Sequence, residues 1–350
     1  MKNIFVPGVG QHENIGDIIL RRPLINWLRE SGELHIYVGA STIGYDRGLG
    51  IQPQDVLYHS FIKWYLSALW QAIKLNAHYA FKPGEVQLTI MGLKEHLVML
   101  PLLAILRLTG GKVIRIGSGA RNYAALPRMF MMPSVWLSNI VMWRDPVTTA
   151  YMGAGATMPD LAFVEGANQA EHLPLKERNI LVVSMRGDRE HPSDEWLEAV
   201  KLYAAQQSLS VVLITQVLRD SALSKKLADK LGAGLIDWDG ENHDVQEKQL
   251  RDLYARTHTV VSDRLHVLIT AYTHGALPIG MLSYASDKIK RHFDAAGVNN
   301  ICIFTSGMNK NAIFDAMKTI LENHSTTLSA LSATREKLLA IKKQVSVLLA

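Results

Sequence analysis

The stretch 262–266, Ser-Asp-Arg-Leu-His, decides how the rest of the chain is interpreted. It follows the apolar run 259–261 and precedes the helix-like segment 267–274, so it predicts a strand, a short turn and a helix whose first turn carries Arg264 and His266. The first turn of a helix leaves backbone N–H groups without partners and carries partial positive charge. A guanidinium and an imidazole added there form a site suited to a phosphate or carboxylate, with a proton donor beside it. The alternative is an ordinary helix cap with two polar residues that face solvent.

Composition limits the class of protein. The chain has 350 residues, of which 48% are hydrophobic and 20% charged, which is typical of a globular protein with room for two domains. The net charge of +5 suits anionic ligands or an anionic membrane face. No zinc-finger spacing, RNA-binding aromatic signature or long basic run occurs, so we expect no nucleic-acid partner.

Cysteine usage and the N-terminus bear on the compartment. Cys302 is the single cysteine, so no disulfide forms within one chain, and a reducing compartment is the natural interpretation. Residues 2–7 form a strand-like run without the design of a signal peptide, and no apolar run reaches the roughly 20 residues of a membrane span. We expect a cytoplasmic protein.

The N-terminal half begins with a predicted strand at 3–7 and a helix at 18–29. The glycines between them lack the full spacing of a dinucleotide site. Asn14, Gly16 and Asp17 are expected near the end of the first strand, where they line a ligand site. The alternative for Asp17 is a position near a helix start, where a carboxylate is favoured in any case.

Three further segments of this half have distinct predictions. The apolar run 97–108 is expected to form a buried helix, and strand 112–116 is expected to lead into a glycine-rich loop that contains Gly117 and Ser118. The segment 128–143 is rich in methionine and aromatic residues, which are most often core because methionine fills irregular gaps. The other interpretation is a surface patch that docks on a membrane or on a lipid-linked acceptor.

The C-terminal half alternates strands and helices after a polar connector at 167–178. This alternation predicts a parallel, doubly wound sheet, in which ligands bind at the carboxyl ends of the strands. The polar residues that follow the apolar runs should therefore converge on one edge: Arg186, Gln216, Arg264, His266, Ser283 and Tyr284. Residues 325–349 predict a final amphipathic helix.

Several motifs occur in the order of one known family. They are the stretches 14–17 (Asn-Ile-Gly-Asp), 143–146 (Trp-Arg-Asp-Pro), 159–163 (Pro-Asp-Leu-Ala-Phe), 183–186 (Val-Ser-Met-Arg) and 261–266 (Val-Ser-Asp-Arg-Leu-His). Together with the Ser283–Tyr284 turn, this ordered set resembles the polysaccharide pyruvyltransferase family over roughly residues 8 to 298.

The resemblance implies a GT-B-like fold of two Rossmann-like domains that face a cleft. On this basis we predict an acceptor-side domain over residues 1–165, a donor-side domain over 166–325 and a C-terminal helix over 326–350. The implied reaction transfers a pyruvyl group from phosphoenolpyruvate, as co-substrate, to a sugar of a bacterial cell-surface polysaccharide, as a ketal. The glycine-rich loop with Gly117 and Ser118 would border the cleft, and no metal or other cofactor is required.

The donor carries a carboxylate and a phosphate, which call for at least two cations, preferably guanidinium groups. Arg186 and Arg264 are our candidates. An imidazole, whose ordinary pKa lies near 6.5, suits the general acid that protonates the enol, and His266 is the candidate. Its alternative is a histidine bonded to a backbone carbonyl.

The family also implies a lysine after Tyr284. Lys288 and Lys290 both compete for that role, with Lys288 preferred, and a solvated lysine is the alternative. Arg144 and Asp145 are predicted to form a structural charged pair at the domain junction.

Two rival functions remain at this stage. One is a GT-B glycosyltransferase that uses a nucleotide sugar, and the other is a non-catalytic glycan-binding relative. The charged stretch 187–190 departs from the family pattern and leaves the acceptor open among a nucleotide sugar, a lipid-linked oligosaccharide and a free glycan. Peripheral membrane association, oligomeric state and ketal linkage also stay open.

Overall fold

A computed structural model describes residues 2–350 and divides them into two compact units. The first unit comprises residues 2–11, 17–161 and 336–350. The second comprises residues 12–16 and 162–335, so a short N-terminal loop belongs to it. In the described part of the chain, no helix is both long and apolar enough to cross a bilayer.

The first unit is built on a parallel sheet in the order β3-β2-β1-β4-β6-β7-β8, with β5 paired to β6. Its strands are β1 (Asn3–Pro7), β2 (Glu33–Tyr37), β3 (Val56–Tyr58), β4 (Ala77–Ala80), β5 (Gly84–Gln87), β6 (Val113–Arg121), β7 (Ile140–Trp143) and β8 (Ala156–Thr157). Its helices are α1 (Ile15–Arg29), α2 (Ile43–Gly48), α3 (Phe61–Ile73), α4 (Leu93–Leu108), α5 (Ala125–Trp136) and α6 (Pro146–Met152). The first two residues of α1 fall in the second unit.

The second unit is built on a parallel sheet in the order β11-β10-β9-β12-β13-β14. Its strands are β9 (Ile180–Ser184), β10 (Ser210–Ile214), β11 (Gly234–Ile236), β12 (Thr257–Ser262), β13 (Leu277–Leu282) and β14 (Cys302–Phe304). The helices that follow are α7 (Asp194–Gln206), α8 (Ser221–Leu231), α9 (His243–Tyr254), α10 (Leu265–Thr273), α11 (Lys288–Ala295), α12 (Lys310–Glu322) and α13 (His324–Leu349). The residues of α13 from Glu336 onward belong to the first unit. Short 3₁₀ turns lie at Leu161–Val164, Gln169–Glu171, Leu175–Glu177 and Leu218–Asp220.

Local signals explain the helix ends of the second unit. The side chain of Ser193 accepts a hydrogen bond from the backbone N–H of Trp196, which caps α7. Gly232 ends α8 with a φ of +62°, a conformation that costs glycine little. Helix α8 begins at Ser221, directly after Asp220, and the predicted final amphipathic helix is α13.

Each sheet has a hydrophobic core of its own. In the second unit, strand residues such as Leu181 and Val261 pack with Trp196 and Leu227 from the covering helices. In the first unit, Phe5 and Tyr79 of the sheet pack with Trp64 of α3 and Leu103 of α4. The predicted class, parallel doubly wound α/β sheets flanked by helices, is confirmed.

The predicted glycine-rich loop is wrong, because β6 continues through Gly117 and Ser118 as far as Arg121. Gly117 has a φ of +72°, and the register with β7 shifts between Ile116 and Ser118. A glycine of this conformation makes a β-bulge, which kinks the strand without ending it. Ser118 is consequently a buried strand residue, paired with Gly84 of β5.

The prediction of a buried helix over 97–108 is also only partly correct. Leu102, Leu103 and Leu106 of α4 are buried, but Leu97 and Leu108 are exposed. The methionine-rich segment is also buried only in part. Met131 and Met132 of α5 are buried, whereas Phe130 and Trp136 are exposed. These helices bury one face against the first sheet and leave an apolar face outside.

Candidate functional site

The site candidates of the second unit lie at the switch point of its sheet. Strands β9 and β12 are neighbours, with Ser184 opposite Ser262, and the strand order runs away from this pair in both directions. In doubly wound sheets, ligands bind in the crevice outside the carboxyl ends of such a pair. The loop after β9 carries Arg186, and the loop after β12 carries Arg264 and His266.

Arg264 is fixed by a buried carboxylate. It stands at the N-cap of α10 in an extended conformation, and its backbone N–H donates to Ser262 Oγ at 2.9 Å. Its Nε donates to Asp220 Oδ2 at 2.7 Å and its Nη2 to Asp220 Oδ1 at 2.5 Å. This fork holds the guanidinium plane and leaves Nη1 without a hydrogen bond to any of the residues 2–350.

Three guanidinium groups lie around the exposed carboxylate of Asp188. Arg186 donates to it through Nε and Nη2 at 2.9 and 2.8 Å. Arg264 Nη2 lies 3.7 Å from one of its oxygens, and Arg219 Nη1 lies 3.8 Å from the other. The hydrogen bonds from Arg186 hold the pKa of Asp188 well below its usual range. The three guanidinium groups together form a site for an anion, which Asp188 itself occupies.

Asp263 links the loop after β12 to the loop after β9. Its Oδ1 accepts a hydrogen bond from the backbone N–H of Arg186 at 2.8 Å, and the residue is 6% exposed. Burial raises the pKa of Asp263 to about 6, although the Arg186 N–H and the charge of Arg264 oppose the rise. This carboxyl group therefore changes charge at a pH closer to neutral than an ordinary aspartate.

The N-terminal loop brings two motif residues next to His266. Ile15 N donates to Gln216 O at 3.2 Å and Leu218 N donates to Glu13 O at 3.0 Å, so the loop pairs with the chain after β10. Gly16 N donates to Asn14 Oδ1 at 3.0 Å. A Cβ at Gly16 would lie 3.0 Å from both Cβ and Nδ1 of His266, so glycine allows the loop to approach the imidazole closely.

The Ser283–Tyr284 turn borders the same cluster. Ser283 Oγ donates to Glu190 O at 3.1 Å, and Arg189 lies 5.3 Å from the centre of the Tyr284 ring. Burial raises the pKa of Tyr284, and the nearby Asp263 raises it further. Tyr284 therefore stays a neutral hydroxyl at physiological pH.

The two candidate lysines have different surroundings. Lys290 lies on the exposed surface of α11 and pairs with Asp294 at 2.6 Å. Lys288 is the first residue of α11, is half-buried, and donates its backbone N–H to Ser286 Oγ at 3.3 Å.

The other predicted site residues lie in the first unit. Asp17, in the first turn of α1, accepts from Gln11 N at 2.8 Å and pairs with Arg21 at 3.0 Å. Ser118 lines a cavity of about 180 Å³, and Gly117 precedes it in β6. The same cavity is lined by Arg21, Lys82, Glu95, His96 and Arg115.

Arg115 is the unusual residue of this cavity, because it is fully buried and lies in no ion pair among the residues described. Its guanidinium lies 3.5 Å from the centre of the Phe81 ring and donates to Ser134 Oγ at 2.9 Å. Burial lowers the pKa of Arg115 to about 10. Burial, together with the charges of Arg115 and Lys82, keeps the pKa of His96 well below its usual value.

Arg144 and Asp145 are structural, but the predicted pairing is wrong. Arg144 Nη1 donates to the buried Asp160 at 2.9 Å, which joins the two motifs of the middle segment. Asp145 instead caps α6 by accepting from Thr148 N at 2.8 Å. An aspartate before Pro146 is in the ordinary position of a helix cap, so local geometry takes precedence over the adjacent charge.

Sequence reasoning missed Asp188 and Asp220 as partners of the arginines. Asp220 directly precedes α8 and follows β10, so the strand-end rule that selected Gln216 also applied to it. Asp188 lies in the charged stretch that departs from the family pattern. In the described part of the chain, no three His, Cys, Asp or Glu side chains are grouped as they would be to hold a metal ion.

Comparison with solved structures defines the class as the GT-B fold. S. aureus MnaA with UDP aligns over 96% of this chain and 92% of its own, with a TM-score of 0.57 and 11% identity. The UDP-GlcNAc 2-epimerase from Methanocaldococcus jannaschii aligns over 92% and 93%, with a TM-score of 0.55 and 11% identity. The spinosyn rhamnosyltransferase SpnG with thymidine diphosphate aligns over 97% and 96%, with a TM-score of 0.52 and 12% identity. At this identity the likeness concerns the fold.

The family follows from the sequence itself. The profile of the polysaccharide pyruvyl transferase family matches residues 14–284, from the Asn14 loop to Tyr284. The chain belongs to the polysaccharide pyruvyl transferase family, and is thus a transferase of polysaccharide biosynthesis. No curated protein matches it significantly.

Proposed function

We propose that this protein transfers a pyruvyl group from phosphoenolpyruvate to two hydroxyls of one sugar in a bacterial cell-surface polysaccharide precursor. The product is a pyruvate ketal, and inorganic phosphate is released. Family membership supports a transferase of this kind. The observation that carries the donor assignment is the convergence of Arg186, Arg219 and Arg264 on the carboxylate of Asp188.

The Asp188 carboxylate marks where an anionic group of the donor would bind. It is on a loop and its side chain is 36% exposed, so it is free to move away when a stronger anion arrives. A phosphate dianion has more charge and more acceptor oxygens than a carboxylate, so it competes well for guanidinium donors. Arg264, whose plane Asp220 fixes, then orients the donor, and Arg186 binds its second anionic group.

The chemistry requires one proton donor at the enol. In our proposal His266 delivers a proton to the methylene carbon, which makes the neighbouring carbon electrophilic. One sugar hydroxyl adds to that carbon and loses its proton, and the carbon–oxygen bond to phosphate then breaks. The second hydroxyl adds in turn and loses its proton, so that one diol and one phosphoenolpyruvate give one ketal and one phosphate. Of the two protons that the hydroxyls lose, one restores His266 and the other ends on the released phosphate. No redox step occurs, and the route calls for no metal or other cofactor.

The acceptor is assigned to the first unit. Asp17, Gly117 and Ser118 are our acceptor-side residues in this unit, whereas Asn14 and Gly16 belong to the loop beside His266 in the second unit. The cavity lined by Ser118 and Arg115 supports this assignment, because a buried guanidinium without an ion pair suits the polar or anionic end of a sugar acceptor. We propose the cytoplasm as the compartment, since phosphoenolpyruvate is made there.

Phosphate release from phosphoenolpyruvate, screened over sugar acceptors, tests the function. We expect release that depends on an acceptor, strong loss of turnover in His266→Gln with donor binding retained, and loss of donor binding in Arg264→Lys. Asp220 keeps a cationic partner in Arg264→Lys, which limits damage to the fold. Thermal stabilisation by a nucleotide sugar but not by phosphoenolpyruvate would instead support the glycosyltransferase. No phosphate release with any acceptor would support the non-catalytic relative.

A further inference from the structure

Three helices of the first unit expose apolar residues on their outer faces. On α3, the side chains of Ile62, Leu66, Trp70 and Ile73 are between 56% and 68% exposed. Their spacing of three or four residues places them in one stripe. The opposite face of α3, with Trp64 and Ala68, is fully buried.

Helices α4 and α5 repeat this arrangement. On α4, Leu97 and Val98 are 42% and 45% exposed, and Pro101 and Ala104 continue the exposed face. On α5, the exposed residues are Leu126, Met129, Phe130 and Trp136. A surface helix normally presents polar residues on this side, so each of the three helices departs from the ordinary pattern.

The three stripes belong to one surface. Helix α4 packs against both α3 and α5, and the Tyr65 hydroxyl of α3 donates to Val98 O of α4 at 2.8 Å. The inner faces of α3 and α4 share one core with the first sheet. The outer faces therefore form a continuous apolar surface, which we call the α3–α5 face. Contiguous patches of this kind mark interaction sites.

The charge of the chain segment that contains α3, α4 and α5 indicates what kind of partner this face binds. Residues 61–136 contain nine lysines and arginines but only two acidic residues, although the whole chain has a net charge of only +5. The cations are Lys63, Lys74, Lys82, Lys94, Arg107, Lys112, Arg121, Arg128 and the buried Arg115, and the acids are Glu85 and Glu95. Lys63 of α3, Lys94 and Arg107 of α4, and Lys74 directly after α3 are exposed. Lys74 lies 4.6 Å from the centre of the Trp70 ring.

We propose that the α3–α5 face binds the surface of an anionic lipid bilayer. Apolar side chains would enter the boundary between headgroups and acyl chains, Trp70 and Trp136 would lie at headgroup level, and the flanking cations would contact acidic lipids. A second copy of the chain is the poorer partner, because two faces of the same positive charge would oppose each other. The inference goes beyond the proposed function and needs no catalytic activity.

Co-sedimentation of the full chain with lipid vesicles tests the proposal. We expect binding to phosphatidylcholine vesicles that contain phosphatidylglycerol, at least tenfold weaker binding to phosphatidylcholine alone, and weakening by salt. The double variant Trp70→Ser/Trp136→Ser should lose at least tenfold in affinity. Both side chains are exposed, so the fold should persist, as thermal unfolding will verify. The matched control is Leu202→Ser/Val245→Ser, which removes exposed apolar residues from the second unit and should bind like wild type.

Two outcomes would overturn the proposal. One is a wild-type chain that stays in the supernatant with acidic vesicles. The other is a tryptophan double variant that binds as tightly as wild type, or that changes from dimer to monomer in light scattering, since the face would then join two copies of the chain.

Discussion

Asp188 is the residue whose replacement most directly reports on the anion site. Its carboxylate competes for the guanidinium groups that we assign to the donor, so Asp188→Asn should bind phosphoenolpyruvate about three- to tenfold more tightly. The expected gain is roughly 1 kcal/mol, which is the scale of one exposed ion pair. Calorimetric titration of both proteins measures it.

A matched control for this change is Asp252→Asn, whose carboxylate pairs with Lys248 on a helix surface at 2.7 Å. It should leave donor affinity unchanged. Weaker donor binding in Asp188→Asn would mean that Asp188 orients Arg186 for the donor and does not stand in its place.

Asp263 predicts a particular pH dependence of stability. Its folded pKa of about 6 lies above the ordinary value, so the folded protein holds this proton more tightly than the unfolded chain does. Stability therefore falls as pH rises from about 4 to about 6, by up to about 3 kcal/mol from this group.

Asp263→Asn keeps an acceptor for Arg186 N and cannot ionise. Denaturant unfolding at pH 4.5 and pH 7 should show that the variant gains on wild type as pH rises. Parallel curves for the two proteins would refute the assignment.

The residues that the sequence could identify were those with a local signal. Arg264 and His266 follow an apolar run and open a helix, which is visible within a few residues. The partner of Arg264 could not be identified in this way, because Asp220 lies 44 positions away and reaches it only through the strand order. Salt bridges between loops depend on which strands are neighbours, and no local pattern determines this.

At the scale of elements, Gly16 makes the strongest prediction. The loop before α1 approaches His266 so closely that a methyl group there would press on the imidazole at 3.0 Å. Gly16→Ala should therefore lower kcat at least tenfold, which corresponds to about 1.4 kcal/mol in the barrier, while donor affinity changes little. Steady-state kinetics with saturating donor measures the loss.

The chain provides a matched glycine for comparison. A Cβ at Gly234, in the edge strand β11, would meet only Val212 Cγ2 at 3.9 Å. Gly234→Ala should retain full activity. Equal kcat values for Gly16→Ala and wild type would remove the N-terminal loop from the catalytic geometry.

Helices with one polar and one apolar face were predictable from the sequence, and helices without that contrast were not. Helix α8 is predictable because an amphipathic pattern ends at a stopping glycine, Gly232. Helix α3 is harder to recognise, because Leu66 and Trp70 place large apolar side chains on its outer face as well. The same property that hides this helix from the sequence pattern makes it part of the α3–α5 face.

At the scale of the whole molecule, we assign donor binding to the second unit and acceptor binding to the first. The strand order of the second unit brings the loops after β9 and β12 together, and these carry Arg186 and Arg264, the two arginines that we assign to the anionic groups of phosphoenolpyruvate. The sequence indicated convergence at one edge but not which strands are neighbours, since parallel strands can be ordered in several ways. The predicted cleft between the domains, and the boundaries at 165 and 325, stay predictions.

Hydrogen exchange can locate the donor on the whole chain. A ligand that binds the folded state slows exchange in the segments that it stabilises, by an amount set by its concentration relative to its Kd. Saturating phosphoenolpyruvate should protect peptides that cover residues 184–190, 217–221 and 262–268. Peptides that line the cavity of the first unit, at 81–87 and 115–118, should exchange at their original rates. The Arg264→Lys variant provides the control, because weaker donor binding should remove the protection from all three segments together. If the donor instead protected 81–87 and 115–118, the buried Arg115 would be the donor cation, and the assignment of donor and acceptor to the two units would have to be reversed.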